Sequence, residues 1–460
     1  MNALDVYHRL PYTGRCLAAS LRGLQLRWWR YDATTPRQVE EAVARESWSA
    51  EAWRRWRDDA LAALLRRAAA RVPYYRELWR GRGGDPGDLG SWPVLTKEQV
   101  RRDPLAFLAD DRPGRMFPEH TSGSTGTPLR LWWSRRASVA WYALQEARVR
   151  GWNGVARGES WAILGGQLVA PAARRRPPFW VWNAALRQLY LSSYHLEPRH
   201  AAAYLEALER HRVRYLVGYP SAMAALAALA AEQGLEAPPL AVAIANAEPL
   251  YERQRALIAG VFRCPVRDTY GTAELVAGAS ECGAGRLHLW PEVGVTEILA
   301  DDEDVRAADG EPGRLIATGL LNADMPLVRY EVGDRAALAP ADASCPCGRT
   351  LPLVASLEGR LDDVVVTPEG RRVGRLDPVF KADLPIREAQ IVQTSRERVA
   401  LRVVPAPGYG PAVAADLARR LGARLGPSME VAVEEVERLP RGGAGKLRGV
   451  VSEIGRRVLS

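Results

Sequence analysis

Lysine and cysteine are both scarce in this chain of 460 residues. Lys97, Lys381 and Lys446 are its only lysines, and the other basic residues are arginine. A lysine retained against that bias is a candidate for a task that needs a compact, rotatable ammonium group. The cysteines are equally sparse and odd in number, at positions 16, 264, 282, 345 and 347. Such a set argues against a disulfide framework and leaves free thiols or a metal site.

Long apolar runs and basic blocks are also missing. No run approaches the ~18 apolar residues that a membrane-spanning helix needs, and the N-terminus has no apolar signal core with a small-residue cleavage site. We therefore predict a cytoplasmic protein with no transmembrane segment. The net charge is +9, but no basic block carries interleaved aromatics. Nucleic acid is therefore a weak interpretation, and a modest positive field favours anionic substrates.

A hydroxyl-rich stretch stands out in what is present, Thr121-Ser122-Gly123-Ser124-Thr125-Gly126-Thr127-Pro128. Glycine lets a backbone pass close to a ligand, and backbone N–H groups together with hydroxyls suit phosphate oxygens. No Gly-Lys-Ser/Thr closes the stretch, so it is not a Walker A loop. A flexible linker is the alternative, but the strand-like residues 129–133 follow directly. The stretch predicts a phosphate-binding loop.

Strand-like and helical runs alternate between residues 92 and 294. This alternation predicts a parallel α/β sheet, whose sites lie at the carboxyl ends of its strands. Residues 246–248 follow one apolar strand directly, and residues 271–274 follow another. The predicted strands of this core are 161–166, 215–219, 241–245 and 265–270.

The flanking segments predict the rest of the architecture. Residues 1–90 read as mostly helical, and the leucine- and arginine-rich residues 1–30 either pack on the main body or lie on a membrane or partner surface. Residues 293–340 read as all-β. The pattern changes near residue 360, which predicts a large N-terminal domain at 1–360 and a small C-terminal domain at 361–460. The fold class is therefore α/β, with a large multi-sheet N-terminal domain, a β subdomain and a small α+β C-terminal domain.

Six segments, taken together, resemble motifs of the adenylate-forming ligase superfamily, and the phenylacetate–coenzyme A ligase branch with its CapK-type capsule-biosynthesis proteins most of all. In chain order they correspond to the phosphate loop, the adenine-side loop, the aromatic–Gly–x–x–Glu motif, the ribose-binding motif, the hinge and the C-terminal lysine loop: residues 121–128, 246–249, 270–274, 330–334, 359–363 and 440–446. Residues 72–76 and 92–97 are also typical of this branch. Order and rough spacing hold from about residue 70 to 450.

The resemblance implies that a carboxylate attacks the α-phosphorus of ATP, giving an acyl adenylate and pyrophosphate. Lys446 would neutralise developing charge from a glycine-rich loop, and Glu274 would help to hold Mg²⁺. Asp362 would be the hinge between the N-terminal adenylation core at 1–360 and a mobile C-terminal domain at 361–460. Thr127 departs from the family, because many relatives have lysine there. The alternatives are that Lys446 is a solvated loop lysine and that Glu274 is a surface carboxylate.

The resemblance also implies a set of nucleotide-binding residues. Tyr270 would face adenine, Asp334 would accept hydrogen bonds from the ribose hydroxyls, and Arg360 would reach the ribose or a phosphate. The alternatives are that Tyr270 is a core tyrosine, Asp334 a turn aspartate and Arg360 a linker arginine. The full nucleotide set is Thr121, Ser122, Gly123, Ser124, Thr125, Gly126, Ala247, Glu248, Asp268, Tyr270, Gly271, Thr272, Asp334 and Arg360.

Three cysteines and a histidine predict a structural zinc site. Cys282-x5-His288 and Cys345-x-Cys347 supply a Cys₃His set, which forms closed tetrahedral sites. The metal would clamp the β region to the core. Unpaired thiols with a surface histidine are the alternative.

The acid and the acyl acceptor remain open at this stage. The family commonly uses coenzyme A, whereas an amine acceptor would make the protein an amide-forming or polysaccharide-modifying ligase. A non-catalytic nucleotide-binding scaffold is a third class, against which Lys446, Glu274 and Asp334 speak. The family places residues 193–195 beside Gly271 and Thr272 at the acyl pocket, for an aromatic or other small organic acid. His195 is either a catalytic residue or a packed one. A homodimer is one candidate assembly of the chain.

Overall fold

The computed structural model describes residues 3–121, 129–167, 169–171, 174–301, 303–360, 365–368, 372–373, 376, 379, 384–441 and 447–454. The α-helices are α1 Ala3–Arg9, α2 Tyr12–Arg30, α3 Thr35–Arg45, α4 Ala50–Arg71, α5 Pro73–Trp79, α6 Lys97–Arg102, α7 Arg135–Leu144, α8 Ala201–Arg210, α9 Pro220–Glu232, α10 Glu252–Phe262 and α11 Pro411–Leu425. Side-chain caps begin several of them: Ser49 accepts from the N–H of Ala52 at 3.1 Å, and Thr96 forms a capping box with Gln99. Such caps satisfy backbone N–H groups that the first turn leaves unpaired.

The strands fall into one large sheet, one small sheet and two short pairs. Their bounds are β1 Phe117–His120, β2 Arg130–Trp133, β3 Trp161–Gly165, β4 Trp180–Asn183, β5 Gln188–Ser192, β6 Tyr215–Gly218, β7 Val242–Ala245, β8 Val266–Gly271, β9 Gly278–Glu281, β10 Leu287–Leu289, β11 Gly294–Leu299, β12 Gly313–Gly319, β13 Tyr330–Leu338, β14 Leu353–Arg360, β15 Val365–Val366, β16 Arg372–Val373, β17 Ile386–Gln393, β18 Arg398–Pro405, β19 Glu430–Glu435 and β20 Val450–Ser452.

The large sheet has twelve strands in the order β11-β12-β13-β14-β10-β9-β8-β7-β6-β3-β5-β4. The strands from β8 to β5 in that order run parallel, as the alternation of strands and helices predicted. All four residues of β7 are buried, because a parallel strand is covered by helices on both faces. Leu216, Ile258 and Phe262 belong to the core on the side of α8, α9 and α10. The predicted parallel α/β core is confirmed.

Strand β8 joins the two halves of this sheet. It pairs in parallel with β7 and antiparallel with β9, and beyond β9 the sheet is antiparallel up to β11. The predicted β subdomain is therefore continuous with the parallel core. Because the strand direction changes here, the residues after β8 lie where the loops of both halves meet.

The C-terminal residues form a second, smaller unit. Strands β19, β18, β17 and β20 make a four-stranded sheet, and α11 packs on it through the buried Leu417, Leu421 and Leu425. The predicted mixed α/β class with a small C-terminal domain is confirmed. The hinge Asp362 lies outside the described residues, so the boundary at residue 360 stays a prediction.

Two details of the helical regions follow from local chemistry. Helix α9 begins with Tyr219 as its N-cap residue and Pro220 at the first helical position. Proline suits that position because its φ is already helical and its missing N–H would have no partner. Among the described residues, no helix combines the length and apolarity needed to cross a bilayer.

Candidate active site

The turn after β8 carries the aromatic–Gly–x–x–Glu motif. The N–H of Leu275 donates to the carbonyl of Thr272 at 3.1 Å, and the hydroxyl of Thr272 accepts from the N–H of Val276 at 3.3 Å. Gly271 ends the strand against Trp141, whose ring would lie 3.0 Å from a Cβ at that position. The local sequence therefore produces a tight turn at the carboxyl end of the last parallel strand.

Two residues predicted to hold the nucleoside are joined directly. The hydroxyl of Tyr270 donates to Oδ2 of Asp334 at 2.7 Å. Asp334 lies on β13, where its backbone is opposite that of Arg360 on β14. The hydrogen bond and the strand pairing thus bring together positions from three motifs that lie far apart in the chain.

Glu274 is buried beside this pair. Its Oε1 accepts a hydrogen bond from the hydroxyl of Tyr330 at 3.0 Å, and the residue is 8% exposed. Burial raises the pKa of Glu274, while the positive charge of Lys97 and the Tyr330 hydrogen bond lower it. A carboxylate in this setting gains from a cation, because burial without one penalises its charged form.

Lys97 was not predicted to belong to the site. It begins α6, and its charge acts on the Glu274 carboxyl group. Residue order offered no hint of this, since the two positions are far apart in the chain. The scarcity of lysine and the place of Lys97 in the branch-typical segment 92–97 were the available signals.

The hydroxyl-rich stretch is anchored next to the motif turn. The N–H of Thr121 donates to the carbonyl of Leu129 at 3.1 Å, and its hydroxyl accepts from the N–H of Leu129 at 2.9 Å. These bonds continue the β1–β2 pair, and Trp133 of β2 donates its ring N–H to the carbonyl of Ala273 at 2.8 Å. The predicted loop residues Ser122, Gly123, Ser124, Thr125 and Gly126 lie outside the described residues. The strand that follows the loop is therefore tied to the residue next to Glu274.

The loop after β7 contains the predicted adenine-side residues. Ala247 has a φ of 64°, which lies in the left-handed region, and Oδ1 of Asn246 is buried without a hydrogen-bond partner among the described residues. A buried acceptor normally has a partner, so this oxygen is available to a donor on a ligand. Asp268 lies on the neighbouring strand β8, and its Oδ1 accepts from the N–H of Thr269 at 2.9 Å. Burial and the nearby Glu281 carboxylate raise the pKa of Asp268 to about 7.

Glu248 makes contacts that the motif did not predict. Its Oε2 accepts from the N–H of Ser221 at 3.2 Å, and its Oε1 accepts from the N–H of Leu447 at 2.7 Å. Burial raises its pKa, and the hydrogen bonds from Ser221 and Leu447 and the charge of Arg441 lower it. Glu248 therefore connects the large sheet to the C-terminal domain.

Further contacts hold the C-terminal domain on α9 and α10. Arg441 donates to the hydroxyl of Ser221 at 3.0 Å and pairs with Glu388. Arg387 forms a two-pronged pair with Glu232 at 2.9 and 2.6 Å. Lys446 lies outside the described residues, but Arg441 and Leu447 on either side of the loop 442–446 both contact the body.

The predicted zinc ligands come together. The metal-binding atoms of Cys282, His288, Cys345 and Cys347 all lie within 4.8 Å of one another. Sγ of Cys282 is 3.6 Å from Sγ of Cys345, and Sγ of Cys347 is 3.4 Å from Nε2 of His288. A tetrahedral site with Zn–S bonds of about 2.3 Å separates its ligand atoms by about 3.8 Å. The donor set therefore fits zinc in both chemistry and spacing.

The surroundings of His288 favour metal binding. Its Nδ1 lies 3.1 Å from the carbonyl of Leu351, which leaves Nε2 facing the thiols. A ligating imidazole usually has such a partner on its other nitrogen. Burial lowers the pKa of His288, so the neutral form that binds metals is favoured.

His195 is a packed residue in this structure. Its ring stacks on Phe179 with centroids 4.5 Å apart. Its Nδ1 lies 2.9 Å from the hydroxyl of Ser192, and its Nε2 lies 3.1 Å from the carbonyl of Pro171. With both ring nitrogens engaged, the packed alternative accounts for it.

The fold and this arrangement of motifs resemble those of adenylate-forming ligases. In the comparison of structures, the chain is similar to a 2-hydroxyisobutyryl-CoA ligase in complex with R3-HIB-AMP, with a TM-score of 0.67, 21% identity and coverage of 90% of this chain and 93% of that one. Residues 365–453 match the family model of the CapK C-terminal domain.

Two relatives indicate which branch of these ligases the chain is similar to. The phenylacetate-coenzyme A ligase of Thermus thermophilus is 24% identical over 453 residues, which cover 87% of this chain and 96% of that protein. Protein CapK of Staphylococcus aureus is 26% identical over 253 residues, and this match spans 54% of the chain and 53% of CapK. The predicted resemblance to the phenylacetate–coenzyme A ligase and CapK-like branch is confirmed.

Proposed function

We propose that this protein is an ATP-dependent ligase that activates an organic acid as an acyl adenylate, releases pyrophosphate and transfers the acyl group to coenzyme A. The observation that carries the proposal is the hydrogen bond from Tyr270 to Asp334, with the buried Glu274 beside it and with β2, which follows the hydroxyl-rich stretch, bonded to Ala273. Tyr270 and Glu274 come from one motif and Asp334 from another, and these residues meet at the carboxyl end of β8.

In this proposal the residues of the chain have separate tasks. Asp334 accepts from the ribose hydroxyls, the unpartnered Oδ1 of Asn246 accepts from the adenine side, and the loop 122–126 donates to the β- and γ-phosphates. Glu274 helps to hold Mg²⁺, which neutralises phosphate charge when bound. Lys446 approaches the carboxylate and the α-phosphate.

The acceptor is proposed from the relatives, because the 2-hydroxyisobutyryl-CoA ligase and the phenylacetate-coenzyme A ligase are named for coenzyme A. The acid is proposed to be a small organic acid, with an aromatic acid as the first choice from the second name. We place the protein in the cytoplasm, where free thiols such as those of Cys16 and Cys264 persist.

The metal site is proposed to hold a structural zinc ion. Cys282, His288, Cys345 and Cys347 would fill all four positions of a tetrahedral site, which leaves no open position for catalysis. His288 lies on β10, and Cys345 and Cys347 precede β14, its neighbour in the sheet. The ion would therefore fasten the loop before β14 to the centre of the sheet.

A panel of carboxylic acids tests the proposed function. Purified protein is incubated with ATP, Mg²⁺ and each acid, and pyrophosphate is measured with and without coenzyme A. We expect pyrophosphate release with at least one small acid, and an acyl-CoA product when coenzyme A is present. Product that forms only with an added amine would instead identify an amide-forming ligase. Nucleotide binding without pyrophosphate from any acid would contradict the ligase.

Glu248 is predicted to position the C-terminal domain for the first half-reaction. Glu248→Ala removes the acceptor for the Leu447 N–H, directly after Lys446 in the chain. Hydrogen bonds to a charged group contribute about 1.5–3 kcal/mol, so we expect adenylation to slow at least about tenfold. Thioester formation from pre-made acyl adenylate should change little, if the domain turns away for that step.

Glu232→Ala is the matched control, because Glu232 pairs with Arg387 at the rim of the same interface. An exposed pair of this kind contributes at most about 1 kcal/mol, and both half-reactions should stay close to wild type. Equal slowing of both half-reactions in Glu248→Ala would contradict a role limited to adenylation. A rise in the KM for ATP alone would indicate that Glu248 contacts the nucleotide instead.

A further inference from the structure

Exposed apolar side chains are concentrated on one face of α2. Six of the ten large hydrophobic side chains that are exposed in the described part of the chain belong to residues 6–28. Leu17, Leu21, Leu24 and Trp28 are 62, 60, 55 and 49% exposed. At about 100° per residue these four positions fall within a sector of about 60°. We call them the apolar stripe. Single exposed hydrophobics are ordinary, but a contiguous set marks an interaction surface.

The opposite face of α2 is fixed to the body of the protein. The fully buried Arg15 donates to the carbonyl of Val169 at 2.8 Å, and Gly23 lies against the side chain of Asn183. The hydroxyl of Ser20 accepts from the N–H of Ala184 at 3.0 Å. The helix therefore has a firm orientation, and the apolar stripe is directed outward because the rest of the helix packs inward.

Arginines surround the apolar stripe. Residues 6–31 include four arginines besides the buried Arg15 and no aspartate or glutamate. Arg22 and Arg27 are exposed on α2 itself. Two more come from other segments: the guanidinium of Arg135 lies 4.5 Å and that of Arg115 5.8 Å from the ring centre of Trp28.

The acids near this surface are few and engaged. Asp32 accepts from the N–H and the hydroxyl of Thr34 at 2.8 and 2.6 Å. Glu119 lies beside Arg22 and Arg30, and burial raises its pKa. The net character of the surface is apolar in the middle and positive around it.

We propose that the apolar stripe of α2 and its arginine rim form a docking surface for a bilayer that contains anionic lipids. Leucines and a tryptophan on one face of a helix enter the region between headgroups and acyl chains, while arginines meet the negative headgroups. The helix lies on the membrane and does not cross it. A second copy of this chain fits less well, because a two-fold pairing would bring the same positive surface of both copies together, with no acid on α2 to offset it.

Vesicle sedimentation with the full-length protein tests this surface. We expect binding to vesicles of phosphatidylglycerol with phosphatidylcholine, weaker binding to phosphatidylcholine alone, and release by added salt. A triple variant with Leu17→Ser, Leu21→Ser and Leu24→Ser should bind the anionic vesicles at least about tenfold more weakly, because three leucines no longer enter the bilayer. Arg22→Gln with Arg27→Gln should weaken binding and its salt dependence.

Leu105→Ser with Val305→Ser is the matched control, because both side chains are 59% exposed and lie elsewhere. This variant should bind as the wild type does. Circular dichroism and melting temperature show that each variant is folded, so the result does not depend on the proposed enzymatic function. No binding by the wild type, or equal binding by the triple variant, overturns the proposal. A wild-type dimer in sedimentation velocity that the triple variant loses, without vesicle binding, assigns the stripe to a second copy and also overturns it.

Discussion

Replacing Lys446 by alanine is expected to slow acyl-adenylate formation roughly 100-fold or more, as for the loss of one preorganised charged donor. The residue ends the glycine-rich segment Gly442-Gly443-Ala444-Gly445, and it is one of three lysines in the chain. On either side of the segment 442–446, Arg441 contacts Ser221 and Leu447 contacts Glu248, which lies in the loop that follows β7. The residues that flank this segment are therefore held beside the proposed nucleotide site.

Release of pyrophosphate from ATP and an accepted acid measures this effect. Transfer of a pre-made acyl adenylate to coenzyme A should persist, because the charge is needed while the α-phosphorus is attacked. Lys381→Ala removes another lysine from the C-terminal region, outside all six motifs, and should behave as the wild type. Near-normal pyrophosphate release by the Lys446 variant would defeat the assignment. Lys446→Arg tests geometry, since a guanidinium keeps the charge but not the compact head.

Loss of the proposed zinc ion is the second large effect. Cys345→Ser removes one of the four ligands, and a serine hydroxyl is a poor substitute for a thiolate at zinc. A ligand at a thousand times its Kd stabilises the folded state by about 4 kcal/mol. In a protein of this size that corresponds to a melting temperature about 4 °C lower. Elemental analysis should find one zinc per chain in the wild type and much less in the variant.

Cys264→Ser provides a control with the same chemistry. Cys264 is 7% exposed and Cys345 8%, but Cys264 packs in the core of the parallel sheet, away from the cluster. Its variant should keep the zinc and lose only what a buried hydroxyl costs. Wild-type protein without zinc, with all four side chains intact, would end the hypothesis.

The apolar patterns determined much of the fold. Residues 241–245 and 265–270, read as strands between helical runs, are parallel neighbours in the large sheet. The small C-terminal domain combines α11 with a four-stranded sheet, as its predicted α+β character requires. Periodicity worked here because burial on one or both faces leaves a regular apolar pattern. Strands such as β9 and β10 escaped notice, because they are short and their pairing depends on partners distant in the chain.

The site was only partly accessible to sequence reasoning. Motifs located Tyr270, Glu274 and Asp334, but residue order carries no sign that Tyr270 donates to Asp334 or that Lys97 acts on Glu274. Glu248 was expected near adenine, and its contact with Leu447 depends on how the C-terminal domain lies on α9 and α10. The residues of the loop 122–128 and Lys446 stay predictions.

By itself, then, the chain's order of residues determined the class of fold, the candidate site motifs and the Cys₃His set proposed to hold zinc, because each of these depends on local spacing and residue type. Only the tertiary structure decided which side chains meet: the convergence around β8, the link from Glu248 to the C-terminal domain and the outward direction of the leucines on α2. Such contacts join positions tens to hundreds of residues apart, and their geometry follows from packing that no local pattern encodes.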